Sequence, residues 1–220
     1  MAALSALRTL DERWRRFPGL ERVAGPAAVL TFDDGPDPEA TPAVLDALDA
    51  EGVRATFFLV GEQLMKAPRL GREIRERGHE VGLHGFKHEP HDTLSPGQAR
   101  DDLARALGAI EAATAVRARW CRPPYGLFSE ASYDACSHLA MEPVYWSSWG
   151  LDWETLAPER IAELVEEDLE PGAIVLLHDS ARYAPRPAAA PTAAAVRLLA
   201  SAARERGVTL VPLGEAAGPA

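Results

Sequence analysis

The stretch Ala28-Val29-Leu30-Thr31-Phe32-Asp33-Asp34-Gly35-Pro36 decides how the chain is read. An apolar, β-branched and aromatic run suits a buried strand, and Gly35-Pro36 forces a turn just where two adjacent carboxylates emerge. A single Asp-Gly commonly closes a strand as a plain turn. Two like charges side by side are unfavourable unless a cation or a base lies close by.

Working outward, similar short runs recur at 55–60, 80–84, 119–122, 143–146, 173–177 and 209–213, which with 28–32 makes seven candidate strands. Between them, 42–51, 68–77, 96–113, 130–138, 158–169 and 192–206 carry helical periodicity. Pro96 after Ser95 and Pro158 after Ala157 suit first helical turns, and Gly52, Gly78 and Gly207 stand where helices stop. Strands alternating with helices predict an α/β fold with a mostly parallel sheet wrapped by helices. No internal repeat is visible.

With 220 residues the chain has room for one substantial domain. A net charge of −10, spread along the sequence, argues against nucleic acid or anionic lipid as partner. Cys121 and Cys136 form no C-x-x-C pair, so two reduced thiols are expected, not a thiolate metal site. Arg8, Asp11, Glu12 and Arg13 interrupt the first apolar residues, and no run approaches a membrane span, so a cytoplasmic protein is expected.

A second chemical cluster, His84-Gly85-Phe86-Lys87-His88, follows another candidate strand. Imidazoles four apart suit a metal, but Gly82, Gly85 and Pro90 favour a loop, and Gly85 replaces the glutamate of a His-Glu-x-x-His protease. A lone histidine is more often a core or surface group than a ligand. A pair with a carboxylate from another strand end reverses those odds. Asp34, His84 and His88 would supply one carboxylate and two imidazoles, leaving coordination positions open, as in catalytic sites.

Thr31-Phe32-Asp33-Asp34-Gly35-Pro36 resembles the first motif of the NodB-type polysaccharide deacetylases, carbohydrate esterase family 4. His84-x-x-x-His88, Arg122-Pro123-Pro124-Tyr125-Gly126, Asp152-Trp153 and Leu176-Leu177-His178-Asp179 resemble the other four, in order, over about residues 27–213. The resemblance implies a distorted (β/α)7 barrel, TIM-barrel-like, in a single domain. It also implies a divalent metal on Asp34, His84 and His88, zinc first, with cobalt, nickel or manganese as alternatives.

By the same resemblance Asp33 is the general base, oriented by Arg122, and His178 is the general acid, held protonated by Asp152. The backbone N–H of Tyr125 is expected to stabilise the oxyanion. Leu176 and Trp153 would form a cup for an acetyl methyl, with Pro123 and Tyr125 also against substrate. Leu176 and Leu177 lie in an apolar strand, and at least one of them would be core in any such protein. Trp120, Trp146 and Trp149 read as packing residues, and His79, His91 and His138 as structural or surface groups.

Gly85 stands where sugar deacetylases usually carry Ser or Thr, whose hydroxyl steadies the loop; the His-Gly-aromatic pattern also resembles allantoinase-type cyclic-amide hydrolases. Trp149 replaces an acidic residue of many relatives. The expected activity is deacetylation of an N-acetyl sugar or glycoconjugate precursor, small or activated. The alternatives are a cyclic-imide or ureide amidohydrolase and a lapsed carbohydrate-binding module. Domain limits follow: a prefix at 1–25, with Leu4, Leu7 and Leu10 suggesting a short helix, a barrel at 26–215, and a disordered tail at 216–220. Residues 180–191, rich in Ala, Pro and Arg, are expected to form a mobile rim loop that could meet substrate.

Overall fold

Successive residues of a strand leave it on opposite sides, and this alternation sets where each functional side chain goes. The computed structural model describes residues 16–218, and its first strand, β1, is Ala27–Asp33. Ala28, Leu30 and Phe32 pack outward into one buried cluster beneath the helices, whereas Val29 joins Phe58, Trp120 and Ile174 in a second cluster. Thr31 and Asp33 share the inward side with Val29.

The other strands are β2 (Thr56–Leu59), β3 (Glu80–Leu83), β4 (Trp120–Cys121), β5 (Glu142–Pro143), β6 (Ser148–Trp149), β7 (Ile174–His178) and β8 (Thr209–Leu210). The order is β5-β4-β3-β2-β1-β7-β6, all parallel, with β8 beside the start of β1. Helices α1 (Ala40–Glu51), α2 (Gly61–Lys66), α3 (Pro68–Glu76), α4 (Pro96–Thr114), α5 (Glu130–His138), α6 (Pro158–Glu166) and α7 (Ala190–Glu205) connect them, and α8 (Leu213–Ala217) closes the described chain. The result is the expected distorted barrel. As in any barrel of parallel strands, the carboxyl ends gather at one face, and Asp33, His84, Arg122 and His178 all sit at or just beyond such an end.

The expected strand at 143–146 divides in two. Val144 N–H still bonds Cys121 O at 2.9 Å, but Ser147 N–H bonds Ile174 O at 3.0 Å, so the chain changes partner from β4 to β7 within four residues. This crossing closes the barrel. Leu20 reinforces it, accepting Tyr145 N–H at 2.8 Å and donating to Pro143 O at 2.9 Å, while Val23 N–H reaches Gly172 O at 2.9 Å. The described part of the prefix is thus an extended strap. Leu4, Leu7 and Leu10 lie outside the described residues.

Short α2 was not anticipated, and α8 runs two residues into the expected tail. The helix starts follow the expected chemistry: at α4, Ser95 N–H donates to Gln98 Oε1 at 3.0 Å and Ser95 Oγ accepts Gln98 N–H at 3.4 Å. No helix among the described residues is long and apolar enough to cross a membrane.

Candidate active site

Asp34 follows β1 in a left-handed turn, φ 79°, which swings its side chain away from the strand toward His84 and His88. Asp34 Oδ1 lies 3.0 Å from His88 Nε2 and 3.4 Å from His84 Nε2. His84 Nδ1 lies 2.7 Å from Arg122 O. A carbonyl only accepts, so Nδ1 carries the proton and Nε2 presents a lone pair to the carboxylate. Two lone pairs facing each other in a buried site call for a cation. Tetrahedral zinc with bonds of about 2.1 Å holds ligand atoms about 3.4 Å apart, which matches this spacing. All three ligand atoms lie within 4.8 Å of one another, so the residues present fit a divalent metal. Burial opposes ionisation of Asp34, but the nearby His84, His88 and His178 imidazoles hold its carboxyl well below the ordinary range.

The loop carrying His88 is steadied without the usual hydroxyl. Asp102, on the inner face of α4, accepts Phe86 N–H at 2.7 Å and Lys87 N–H at 3.0 Å. Gly85 has φ 77°, and a Cβ there would meet Asp102 Oδ2 at 3.0 Å. The glycine and the helix carboxylate therefore belong together. His91 is fully buried with Nε2 3.4 Å from the same carboxylate, which suits its expected structural role. His79 is buried too, and His138 is exposed.

Arg122 is fully buried and held from three directions, its Nε alone lacking an acceptor among the described residues: Nη1 donates to Asp33 Oδ1 at 2.8 Å and to Thr31 Oγ1 at 2.7 Å, and Nη2 to Tyr145 O at 2.7 Å. Its guanidinium lies 4.2 Å from the Phe58 ring centroid. Tyr145 O is free for it because the chain leaves the sheet there. With Oδ1 engaged, Oδ2 is the Asp33 oxygen available to take a proton.

Opposite stands His178. Its Nδ1 is 2.8 Å from Asp152 Oδ1, and its backbone N–H donates to Asp152 Oδ2 at 2.9 Å. Burial alone would lower the imidazole, but the Asp152 carboxylate overcomes it and His178 is pushed up to about 9. Asp152 also accepts Thr192 Oγ1–H at 2.7 Å and lies 3.4 Å from Arg186 Nη1. Arg186 Nη2 donates to His178 O at 3.0 Å and Ser180 O at 2.9 Å. The segment expected to be a mobile rim loop is tied down by this buried arginine.

These groups share a cavity of about 300 Å³, at the small end of ligand sites. Leu176, Trp153 and Trp146 form an apolar side, and Tyr125, Tyr183 and Pro185 stand at the others. Tyr125 is half-exposed in a left-handed turn, φ 58°. Pro123 is buried and does not line the cavity; its carbonyl accepts Gly126 N–H at 2.9 Å, so it shapes the turn. Arg122 and Asp152 lie behind the wall. Trp146, read as packing, lines the cavity, and Trp149 packs edge-on to Trp153 at 5.8 Å. Reading the sequence missed Asp102, Arg186, Thr192 and Tyr183. Asp102 alone left a signal: a carboxylate in the apolar stripe of Ala99, Leu103 and Ala106.

A sequence profile described as polysaccharide deacetylase matches residues 21–144. A chitooligosaccharide deacetylase of Bradyrhizobium sp. (strain ANU 289) is 38% identical over 159 residues, 71% of this chain and 73% of that one. A peptidoglycan-N-acetylglucosamine deacetylase of Bacillus cereus is 31% identical over 180 residues, 77% of this chain and 66% of that one. Among solved structures, a carbohydrate esterase family 4 pseudoenzyme from Bacillus anthracis superposes with TM-score 0.83 at 28% identity, covering 91% of this chain and 69% of its own. A family 4 carbohydrate esterase from Streptomyces lividans, in complex with acetate, superposes at 0.77 with 27% identity, covering 84% and 92%.

Proposed function

Because this chain belongs to the polysaccharide deacetylase family, we propose that it is a divalent-metal-dependent hydrolase that removes the acetyl group from the nitrogen of an N-acetylhexosamine, in a short oligosaccharide or a glycoconjugate. One observation carries the reading: a carboxylate clamped by a buried arginine and an imidazole held by a buried aspartate stand at one small cavity, with an Asp-His-His ligand set between them.

Asp34, His84 and His88 would hold the metal, zinc by preference, which when bound polarises the amide carbonyl and acidifies water. Asp33 Oδ2 takes a proton from the attacking water as its oxygen bonds the acetyl carbon. The Tyr125 N–H donates to the developing oxyanion. As the carbon–nitrogen bond breaks, His178 Nε2 gives its proton to the departing amine, a transfer typically worth about 10² to 10⁴ in rate. Leu176 and Trp153 enclose the methyl, so acetyl is favoured over longer acyl groups. We assign the whole barrel with its strap, residues 16–218, to this one working unit.

Likeness to a pseudoenzyme does not decide turnover; the side chains at and behind the cavity wall do, and Asp33, Asp34, His84, His88, Arg122 and His178 are all present. The test is acetate release from chitooligosaccharides by zinc-loaded protein, with cyclic imides and ureides as controls. Acetate with intact controls supports the reading. Ring opening without acetate replaces it with cyclic-amide hydrolysis, and absence of stoichiometric metal after reconstitution replaces it with a binding module.

A further inference from the structure

The two histidines of the ligand set are held in different ways. His84 is fixed by its bond to Arg122 O at 2.7 Å, the outer contact that ligating imidazoles ordinarily make. His88 lacks one: its Nδ1 is buried and makes no hydrogen bond among the described residues. What touches the ring is Tyr183, stacked at 4.2 Å between centroids with 10° between planes, and Tyr125, tilted at 4.6 Å.

From this geometry we infer that Tyr183 is a positioning residue for His88, its ring replacing the missing outer hydrogen bond by blocking rotation of the imidazole. The inference rests on the metal-site reading above. Tyr183 is itself held from two sides. Its hydroxyl donates to Glu62 Oε1 at 3.0 Å and accepts from Gln63 Nε2 at 2.6 Å, and behind it Arg186 bonds Ser180 O at 2.9 Å. Glu62 and Gln63 belong to α2, whose first N–H groups, of Gly61 and Glu62, donate to Gly85 O at 3.0 Å and Phe86 O at 2.9 Å. One short helix thus grips both the loop that carries His88 and the ring that lies on it. If either moved, the stack would break.

The experiment is zinc titration of the metal-free full chain against a chromogenic chelator, with the absorption spectrum of the cobalt-loaded protein as a second readout. Tyr183→Phe keeps the ring but loses the hydroxyl bonds to Glu62 and Gln63, and should bind zinc more tightly than Tyr183→Leu. Tyr183→Leu should lose roughly 10- to 100-fold in affinity, the range for outer-shell partners, and alter the cobalt bands. Parent-like zinc binding and bands in Tyr183→Leu overturn the inference, as does a Phe variant as weak as the Leu variant. If circular dichroism shows Tyr183→Leu unfolded, Tyr183→Met takes its place under the same outcomes. His88→Ala separates the two levels: if it binds zinc as the parent does, the metal-site reading fails and takes the inference with it. If only His88→Ala is weakened, the role of Tyr183 alone is lost.

Discussion

Replacing Asp152 by Asn tests how the departing amine receives its proton. The exchange keeps a carbonyl oxygen that can accept His178 Nδ1–H, now 2.8 Å from Asp152 Oδ1, while the charge goes and the new NH2 faces the donors His178 N–H, Thr192 and Arg186. Asp152 pushes the imidazole up to about 9 against the effect of burial. Without Asp152 burial still lowers the group and only the more distant Asp34 and Asp33 carboxylates raise it, so a value near the unperturbed 6.5 is expected. At about pH 8 the protonated fraction then falls from roughly 90% to about 3%, some thirtyfold, whereas at about pH 5.5 it falls by only about a tenth. Any loss of packing or orientation lowers the rate equally at both pH values, so the ratio between them isolates the proton. The assay is kcat/KM for acetate release between about pH 5 and 10, with thermal melts to check folding. The alkaline limb should lie at lower pH in Asp152→Asn than in the parent. A limb that stays in place in Asp152→Asn would refute either His178 as the acid or Asp152 as the group that holds its proton.

We predict that Asp33→Asn keeps zinc and loses most turnover, while His84→Ala and His88→Ala lose both; equal metal loss in all three, measured by elemental analysis after dialysis, would remove Asp33 from the role of base. Asp102→Ala leaves Phe86 and Lys87 N–H without their acceptor and should destabilise by about 2–4 kcal/mol, with weaker zinc binding because His88 follows that loop; urea melts showing no change would contradict this. Asp179 is buried against Thr41, and burial raises its carboxyl to about 7. Its contribution to stability is therefore full below about pH 4, the unfolded value, and is lost as pH rises through 7. In metal-free protein, the stability of the parent relative to Asp179→Asn should fall across that window, and urea melts showing a constant difference would reject the assignment.

The parts of the site that the sequence reveals are those set by strand alternation and strand ends. Asp33, His84, Arg122 and His178 each sit at or one residue beyond a strand end, so the rule that places Val29 inside the barrel places them there as well. The single strand expected at 143–146 failed for a reason that lies outside local pattern: closing the barrel requires the chain to leave β4 and join β7, and no run of side chains announces a change of partner. That failure bears on the chemistry. The divided strand exposes Tyr145 O, and Arg122 fills the gap by bonding it at 2.7 Å while holding Asp33 at 2.8 Å. A continuous β-ladder would engage that carbonyl and leave Nη2 of the buried guanidinium, like its Nε, without an acceptor. Arg186 and Tyr183 were illegible for a related reason, since their partners Asp152, Glu62 and Gln63 come from other elements and the intervening alanines and prolines carry no period. The irregular segments of this barrel are therefore the ones that orient Asp33, His178 and His88, and the regular strands only bring those groups to the same end.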